Sequence, residues 1–340
     1  MSLVKKFRIY SKNLTLKRMW NYFLVHLSLK LKRPKVWGKP LSLFIEPTNI
    51  CNAKCCLCPR GNGKLTKKQG VMGIKEYKKL LDELGDTAFS VTLWNYGEPF
   101  LNKNLIQMIK LAKKKGLKVI TSTNGVAFRD MDNVKKIIDS GLDELIVAID
   151  GVDEKTYLKY RGNCDFNANL KGLKLLAKEK GDRYFPFVSM QFIVMKQNED
   201  QIEDIKKLAK ELGVNELILK TVFLFGNEDR AKEFLPNEKY SRYRIVDGKL
   251  SYKKNIVNGC DGLWVGASIN YDGNVVPCCF AAFEHFKFGN VSDGGFMSVW
   301  NNEKFVAFRT QILRDKMRIK LCSDCPSNME SMDVDRISFH

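Results

Sequence analysis

The segment SLFIEPTNICNAKCCLC, residues 42–58, opens as a short apolar, aromatic-containing run that stops at Pro47 and passes into a loop dense in cysteine. Cys51, Cys55 and Cys58 are separated by three and then two residues, with Cys56 beside them. Such short gaps let thiolates converge on one metal centre, as iron-sulfur and zinc loops both require. Three ligands from one loop leave one iron of a four-iron cluster open. A structural zinc site normally wants a fourth ligand and paired knuckles, and three buried thiols without metal are the remaining reading.

Downstream, a strand-then-helix unit repeats as far as about residue 222. Strands are expected at 42–47, 88–94, 117–122, 143–149, 187–195 and 216–223, and helices near 75–84, 103–115, 131–140, 166–180 and 199–212. Gly85, Gly116, Gly141, Gly181 and Gly213 follow the helices, where a left-handed C-cap suits a residue without Cβ. Alternating strands and helices imply a parallel sheet, either doubly wound or closed towards a barrel. Polar segments, the last three of them glycine-containing, fall after strands one to four, at 48–60, 95–99, 123–125 and 150–151. That is the end where barrel enzymes gather their chemistry.

A chain of 340 residues, 44% hydrophobic and 28% charged, has room for one large domain and a smaller one. Its apolar stretches are too short to span a bilayer and no secretory cleavage site is visible, so a cytoplasmic location is expected. Ten cysteines there point to metal binding or catalysis rather than disulfides. The net charge of +19 is uneven, because residues 1–45 hold eleven Lys or Arg and no acid. Leu16, Trp20, Phe23, Leu24, Leu27 and Leu31 recur there at helical spacing, with Lys17, Arg18, Asn21, Ser28 and Lys32 largely elsewhere. Residues 1–40 are thus a basic amphipathic segment. Its apolar face either packs on the main domain or makes peripheral contact with an anionic membrane; gripping a phosphorylated or nucleic-acid substrate is a third use.

The cysteine loop, placed after the first strand, is similar to that of the radical S-adenosylmethionine superfamily, and the resemblance runs over roughly residues 42–225. It implies an α/β fold whose core, 41–235, is a partial (β/α)6 TIM-like barrel. It also implies a 4Fe-4S cluster on Cys51, Cys55 and Cys58, whose open iron takes the amino and carboxylate groups of S-adenosylmethionine. Leu57 stands where the family usually has an aromatic residue near adenine. The run Trp94-Asn95-Tyr96-Gly97-Glu98-Pro99 resembles the family's second motif, although Gly-Glu-Pro by itself is an ordinary turn. Glu98 would accept hydrogen bonds from the cofactor's ammonium group, and Gly97 would allow close backbone approach. Ala148-Ile149-Asp150-Gly151 with Tyr160-Arg161-Gly162 resembles the strand-four signature, in which Arg161 pairs with the cofactor carboxylate. Ser122, Asn124 and Gln191 are candidates for ribose or substrate contacts, or for capping and turn hydrogen bonds.

The C-terminal set Cys260, Gly273, Cys278-Cys279 and Cys322-Ser-Asp-Cys325 resembles the SPASM auxiliary-cluster extension in its shortened, twitch form. That resemblance implies a small auxiliary iron-sulfur domain over 236–340 and a second 4Fe-4S cluster on Cys260, Cys278, Cys322 and Cys325. A cluster with four thiolates is suited to moving electrons. The Cys-x-x-Cys pair alone fits zinc equally well. Cys56 and Cys164 lie outside this scheme as packed thiols. Cys279 is either another, or a catalytic thiol that returns a hydrogen atom to a substrate radical.

What the resemblance implies for activity is reductive cleavage of S-adenosylmethionine, with electrons from a flavodoxin or ferredoxin, to a 5′-deoxyadenosyl radical. That radical abstracts hydrogen from a small sugar- or cyclitol-like substrate, free, phosphorylated or carrier-linked, giving dehydrogenation or epimerisation. Family members with one auxiliary cluster and no peptide-binding leader domain include aminocyclitol dehydrogenases and sugar epimerases, and the N-terminus is expected to be too short for such a leader domain. One alternative is modification of a peptide or protein side chain. The other is a non-enzymatic metal protein that binds nucleic acid through residues 1–45, which explains the charge but not Gly-Glu-Pro or Arg161; no nucleic-acid partner is expected.

Overall fold

Along five of the six predicted strands, Leu43 and Ile45, Val91 and Leu93, Leu145 and Val147, Met190 and Phe192, and Leu217 and Leu219 occupy alternate positions, and all are buried. With a side-chain period of two, that row is one face of a sheet covered by helices. The computed structural model describes residues 13–247, 249–253, 259–281, 286–323, 325 and 333–339.

The strands are β1 (Ser42–Ile45), β2 (Ser90–Leu93), β3 (Lys118–Thr123), β4 (Glu144–Ala148), β5 (Phe187–Val194) and β6 (Glu216–Thr221). Each pairs in parallel with the next. Between them run α2 (Ile74–Leu84), α3 (Leu105–Lys114), α4 (Met131–Ile138), α5 (Glu154–Arg161) with α6 (Phe166–Lys180), and α7 (Ile202–Glu211), after α1 (Leu16–Lys30). The sequence pattern missed α5. It is short, starts at the Asp153 N-cap, whose carboxylate accepts from Thr156 N at 2.8 Å, and carries Tyr157, Tyr160 and Arg161.

After a separate antiparallel pair, β7 (Tyr243–Val246) and β8 (Lys249–Tyr252), the main sheet continues beyond both edges. β9 (Gly266–Ile269) pairs in parallel with β1, and β10 (Asn274–Val276) and β11 (Gly289–Asn290) extend it antiparallel, while β12 (Asp333–Ser338) pairs antiparallel with β6. The result is one largely parallel ten-stranded mixed sheet. The C-terminal region is therefore hydrogen-bonded onto the first barrel strand. Trp264 and Trp300, both fully buried, donate their indole N–H to the carbonyls of Arg33 and Gly38.

Four of the five helix-terminal glycines have positive φ, at Gly116, Gly141, Gly181 and Gly213. Gly85 does not: it is right-handed, and what requires glycine there is the Leu81 carbonyl oxygen, 2.5 Å from where a Cβ would sit.

The N-terminal helix is turned the opposite way from simple apolar packing. Arg18, Asn21, Val25 and Ser28 face the protein, and Leu16, Trp20 and Phe23 face outward. The floor it covers is made of helix ends, whose last carbonyls lack intrahelical partners. The Arg18 guanidinium donates to the carbonyls of Gly85 (3.0 Å), Lys115 (2.6 Å) and Gly116 (3.5 Å), closing the C-termini of α2 and α3. Asn21 exchanges hydrogen bonds with the Lys39 backbone, and Ser28 Oγ accepts from Trp37 N. Among the described residues no helix is long and apolar enough to cross a membrane.

Candidate metal centres and cofactor site

The cysteine loop follows β1 and is wrapped by its neighbours. Gly97 lies so close that a Cβ there would collide with the Thr48 carbonyl oxygen, so its close approach is to the loop backbone itself. Gly162, at φ +65, sits similarly against the Lys54 carbonyl. Asn227 Nδ2 donates to the Leu57 carbonyl at 3.3 Å, and Arg230 donates to that of Cys56 at 3.3 Å. The thiols of Cys51, Cys55 and Cys58 lie near enough to oppose one another's ionisation. Burial pushes Cys51 up to about 11 and Cys55 up to about 12. A loop that holds two such thiols beside Cys58 suits a cationic centre, which takes the thiolate form and releases the protons.

Two charged frames hold this loop. Glu98, 2% exposed, accepts from Asn124 N (2.7 Å) through one oxygen, and from Thr123 Oγ1 (3.0 Å) and Phe100 N (3.2 Å) through the other. Burial outweighs those bonds and raises its carboxyl to about 7. Arg161 Nε donates to Asp150 at 2.5 Å, and its Nη1 reaches Cys55 Sγ at 3.8 Å. Asp150 is fully buried and also accepts from Ile193 N at 2.7 Å, so it orients Arg161. Asn124 Nδ2 contacts Cys51 Sγ at 3.8 Å and Asn52 Oδ1 at 2.9 Å. The predicted Glu98, Asn124, Asp150 and Arg161 thus meet around the three thiols.

Leu57 lies fully buried, and Pro99 is buried at the head of a single 3-10 turn. Ser122 and Gln191 are half-buried, on the strand face opposite the helix-covered row. Residues that sequence reasoning did not select complete the surround. Asn169 donates to the Asn124 carbonyl and to the Tyr157 hydroxyl, and Cys164 lies within range of the Cys51 and Cys55 thiols. Glu46, at the end of β1, accepts from Tyr96 N and Tyr271 N, joining the second motif to the C-terminal region. No local motif marks these positions.

On the C-terminal side, Cys260, Cys278, Cys279, Cys322 and Cys325 line a cavity of about 620 Å³ together with Phe44, Phe280 and Lys316. Burial pushes Cys322 up to about 12 and Cys279 up to about 11. Lys316, 2% exposed, sets a cation beside Cys260 and Cys322 and donates to the Gly259 carbonyl. The four cysteines expected as ligands, opening on one cavity with a buried ammonium beside it, suit a cluster of thiolate-bound iron. The half-buried Tyr96 lies within electrostatic range of Cys58 and of Cys278 and Cys279.

A half-open parallel barrel with thiols at the C-terminal strand ends, and a second thiol-lined cavity against its first strand, defines a class of sulfur-ligated metalloenzyme. Residues 45–209 match the radical SAM superfamily, and residues 260–326 match SPASM, an iron-sulfur cluster-binding domain. The chain is 26% identical over 307 residues to the Fe-coproporphyrin III synthase of Methanosarcina barkeri, spanning 78% of this chain and 74% of that one. Among solved structures it is similar to BtrN in complex with AdoMet and 2-DOIA (TM-score 0.56, 18% identity, 88% of this chain and 99% of that one). It is also similar to Streptococcus suis SuiB bound to precursor peptide SuiA (TM-score 0.63, 15% identity, 88% and 72%). These two likenesses establish the fold. The chain belongs to the radical SAM superfamily and carries a SPASM domain. It is accordingly a radical SAM enzyme that uses S-adenosylmethionine, a 4Fe-4S cluster and a SPASM auxiliary cluster.

Proposed function

We propose that this enzyme dehydrogenates or epimerises a hydroxyl-bearing carbon of a small sugar- or cyclitol-like molecule held between its two centres. The observation that carries the reading is Tyr96, which lies within electrostatic range of both Cys58 and the Cys278-Cys279 pair. A small molecule beside that phenol lies within reach of both. When bound at Cys51, Cys55 and Cys58, the cluster and S-adenosylmethionine supply hydrogen-atom abstraction from an unactivated carbon.

This chain's residues do the rest. Arg161, held by Asp150, forks onto the cofactor carboxylate, and the open oxygen lone pairs of Glu98 receive its ammonium group. Leu57, Pro99, Ser122, Asn124 and Gln191 border the nucleoside and substrate. Cys260, Cys278, Cys322 and Cys325 hold a single auxiliary 4Fe-4S cluster. In dehydrogenation the auxiliary cluster that those four cysteines would hold would accept the second electron, and a base would take the hydroxyl proton, leaving a carbonyl. In epimerisation the Cys279 thiol returns a hydrogen atom to the opposite face, and an electron from the external reductant, a flavodoxin or ferredoxin, together with a proton from solvent, restores it.

The test is anaerobic turnover of reconstituted enzyme with reductant, S-adenosylmethionine and a panel of polyols in heavy water. Solvent deuterium at the reacting carbon identifies epimerisation; a carbonyl product without it identifies dehydrogenation. A second reading, modification of a peptide side chain, is favoured by the likeness to SuiB bound to precursor peptide SuiA. If 5′-deoxyadenosine accumulates with peptides encoded beside the gene and with no polyol, that reading replaces the first.

A further inference from the structure

The outward face of α1 has no counterpart in the catalytic machinery. Leu16 is 85% exposed, Trp20 62%, Phe23 50% and Leu31 54%, and Trp37, 45% exposed, follows just beyond the helix. At 100° per residue the first four lie on one stripe. The polar residues of the same helix are spent inward, Arg18 on the carbonyls of Gly85 and Lys115. The helix therefore cannot roll to hide its apolar stripe without leaving a guanidinium and several carbonyls buried and unpaired. The orientation is built in.

Exposed cations edge the stripe at Lys30, Lys32, Arg33 and Lys35, and no acid occurs before Glu46. Arg33 lies over the Trp37 ring at 4.4 Å. Indole and phenyl groups beside Lys and Arg, on a helix locked parallel to the surface beneath it, match the chemistry of an interfacial anchor on an anionic bilayer. A second copy of this chain would instead bring the Lys30, Lys32, Arg33 and Lys35 cations of both copies together.

We propose that this face docks on the surface of an anionic lipid bilayer. Arg18 binds carbonyls just ahead of β2 and β3, at the N-terminal strand ends, whereas the cysteine loop follows the C-terminal end of β1. Docking through α1 therefore turns the barrel floor to the membrane and leaves the catalytic mouth facing away from it. The anchor recruits the enzyme and does not feed lipid into the site.

The full-length reconstituted enzyme is floated anaerobically with vesicles of phosphatidylcholine, alone or with about 30% phosphatidylglycerol. It is expected to bind the mixed vesicles far better than the neutral ones, and to weaken as salt screens the charges. The pair Trp20→Glu and Phe23→Glu, both at exposed positions, lowers partitioning at least about 100-fold while 5′-deoxyadenosine formation stays unchanged. Lys32→Gln and Lys35→Gln each weaken it about fivefold. Failure to bind the mixed vesicles, or binding untouched by the paired substitution, overturns the proposal. So does a concentration-dependent dimer that the paired substitution dissolves, which assigns the face to self-association.

Discussion

Replacing Glu98 by Gln tests whether its carboxyl is held in a site that resists charge. Burial lifts its pKa from an ordinary 4.5 to about 7, against the pull of Asn124 N, Phe100 N and Thr123 Oγ1. Because the folded value exceeds the unfolded one, the native chain keeps a proton that the unfolded chain releases. Stability therefore falls as pH rises from about 4.5 through about 7, and levels off above. At about 1.4 kcal/mol per tenfold change in affinity for that proton, the full effect is roughly 3 kcal/mol, of which about 2 to 3 falls between about pH 5 and pH 8. Gln cannot titrate. It forfeits one acceptor and so carries a constant penalty of about 1 to 3 kcal/mol at every pH. Thermal unfolding of both cluster-loaded proteins across this range should show the wild type losing about 4 °C relative to Glu98→Gln on the alkaline side. Parallel curves would refute the reasoning, because they would mean that the carboxyl already titrates in the folded protein as it does in water.

Gly97→Ala drives a methyl group into the Thr48 carbonyl and displaces the cysteine loop, so 5′-deoxyadenosine formation should drop at least about 100-fold with the fold intact by circular dichroism. Cys322→Ala combined with Cys325→Ala should remove about half of the bound iron and sulfide while S-adenosylmethionine cleavage persists. Arg18→Met strips the shared cap from α2 and α3 and should cost about 2 to 4 kcal/mol in unfolding free energy, with iron content unchanged.

Strand positions were readable from local residues because a parallel strand buried under helices carries a short apolar run, as at 145–148 within Glu144–Ala148 and 217–219 within Glu216–Thr221. The cysteine spacing and the order of Gly-Glu-Pro and Arg161 after their strands are also properties of the chain alone. What hid α5 was length: eight residues, mostly polar, carry too little periodicity to stand out. Asn169, Asn227, Glu46 and Lys316 are each ordinary in sequence and acquire meaning only because folding carries them to loops far along the chain.

The N-terminal helix shows the division most plainly. Periodicity is enough to announce an amphipathic helix over Leu16–Lys30, but a moment has two faces and does not say which one a protein will cover. That choice was made by the barrel floor, where the open carbonyls of Gly85, Lys115 and Gly116 bind a guanidinium more strongly than an apolar side chain could compensate for leaving them unpaired. In the same way, sequence alone settled that ten free thiols were available for metal. Only the pairing of β9 with β1 brought Cys278 and Cys279 within electrostatic range of Tyr96 at the barrel mouth, because a backbone ladder fixes neighbours that no spacing rule connects.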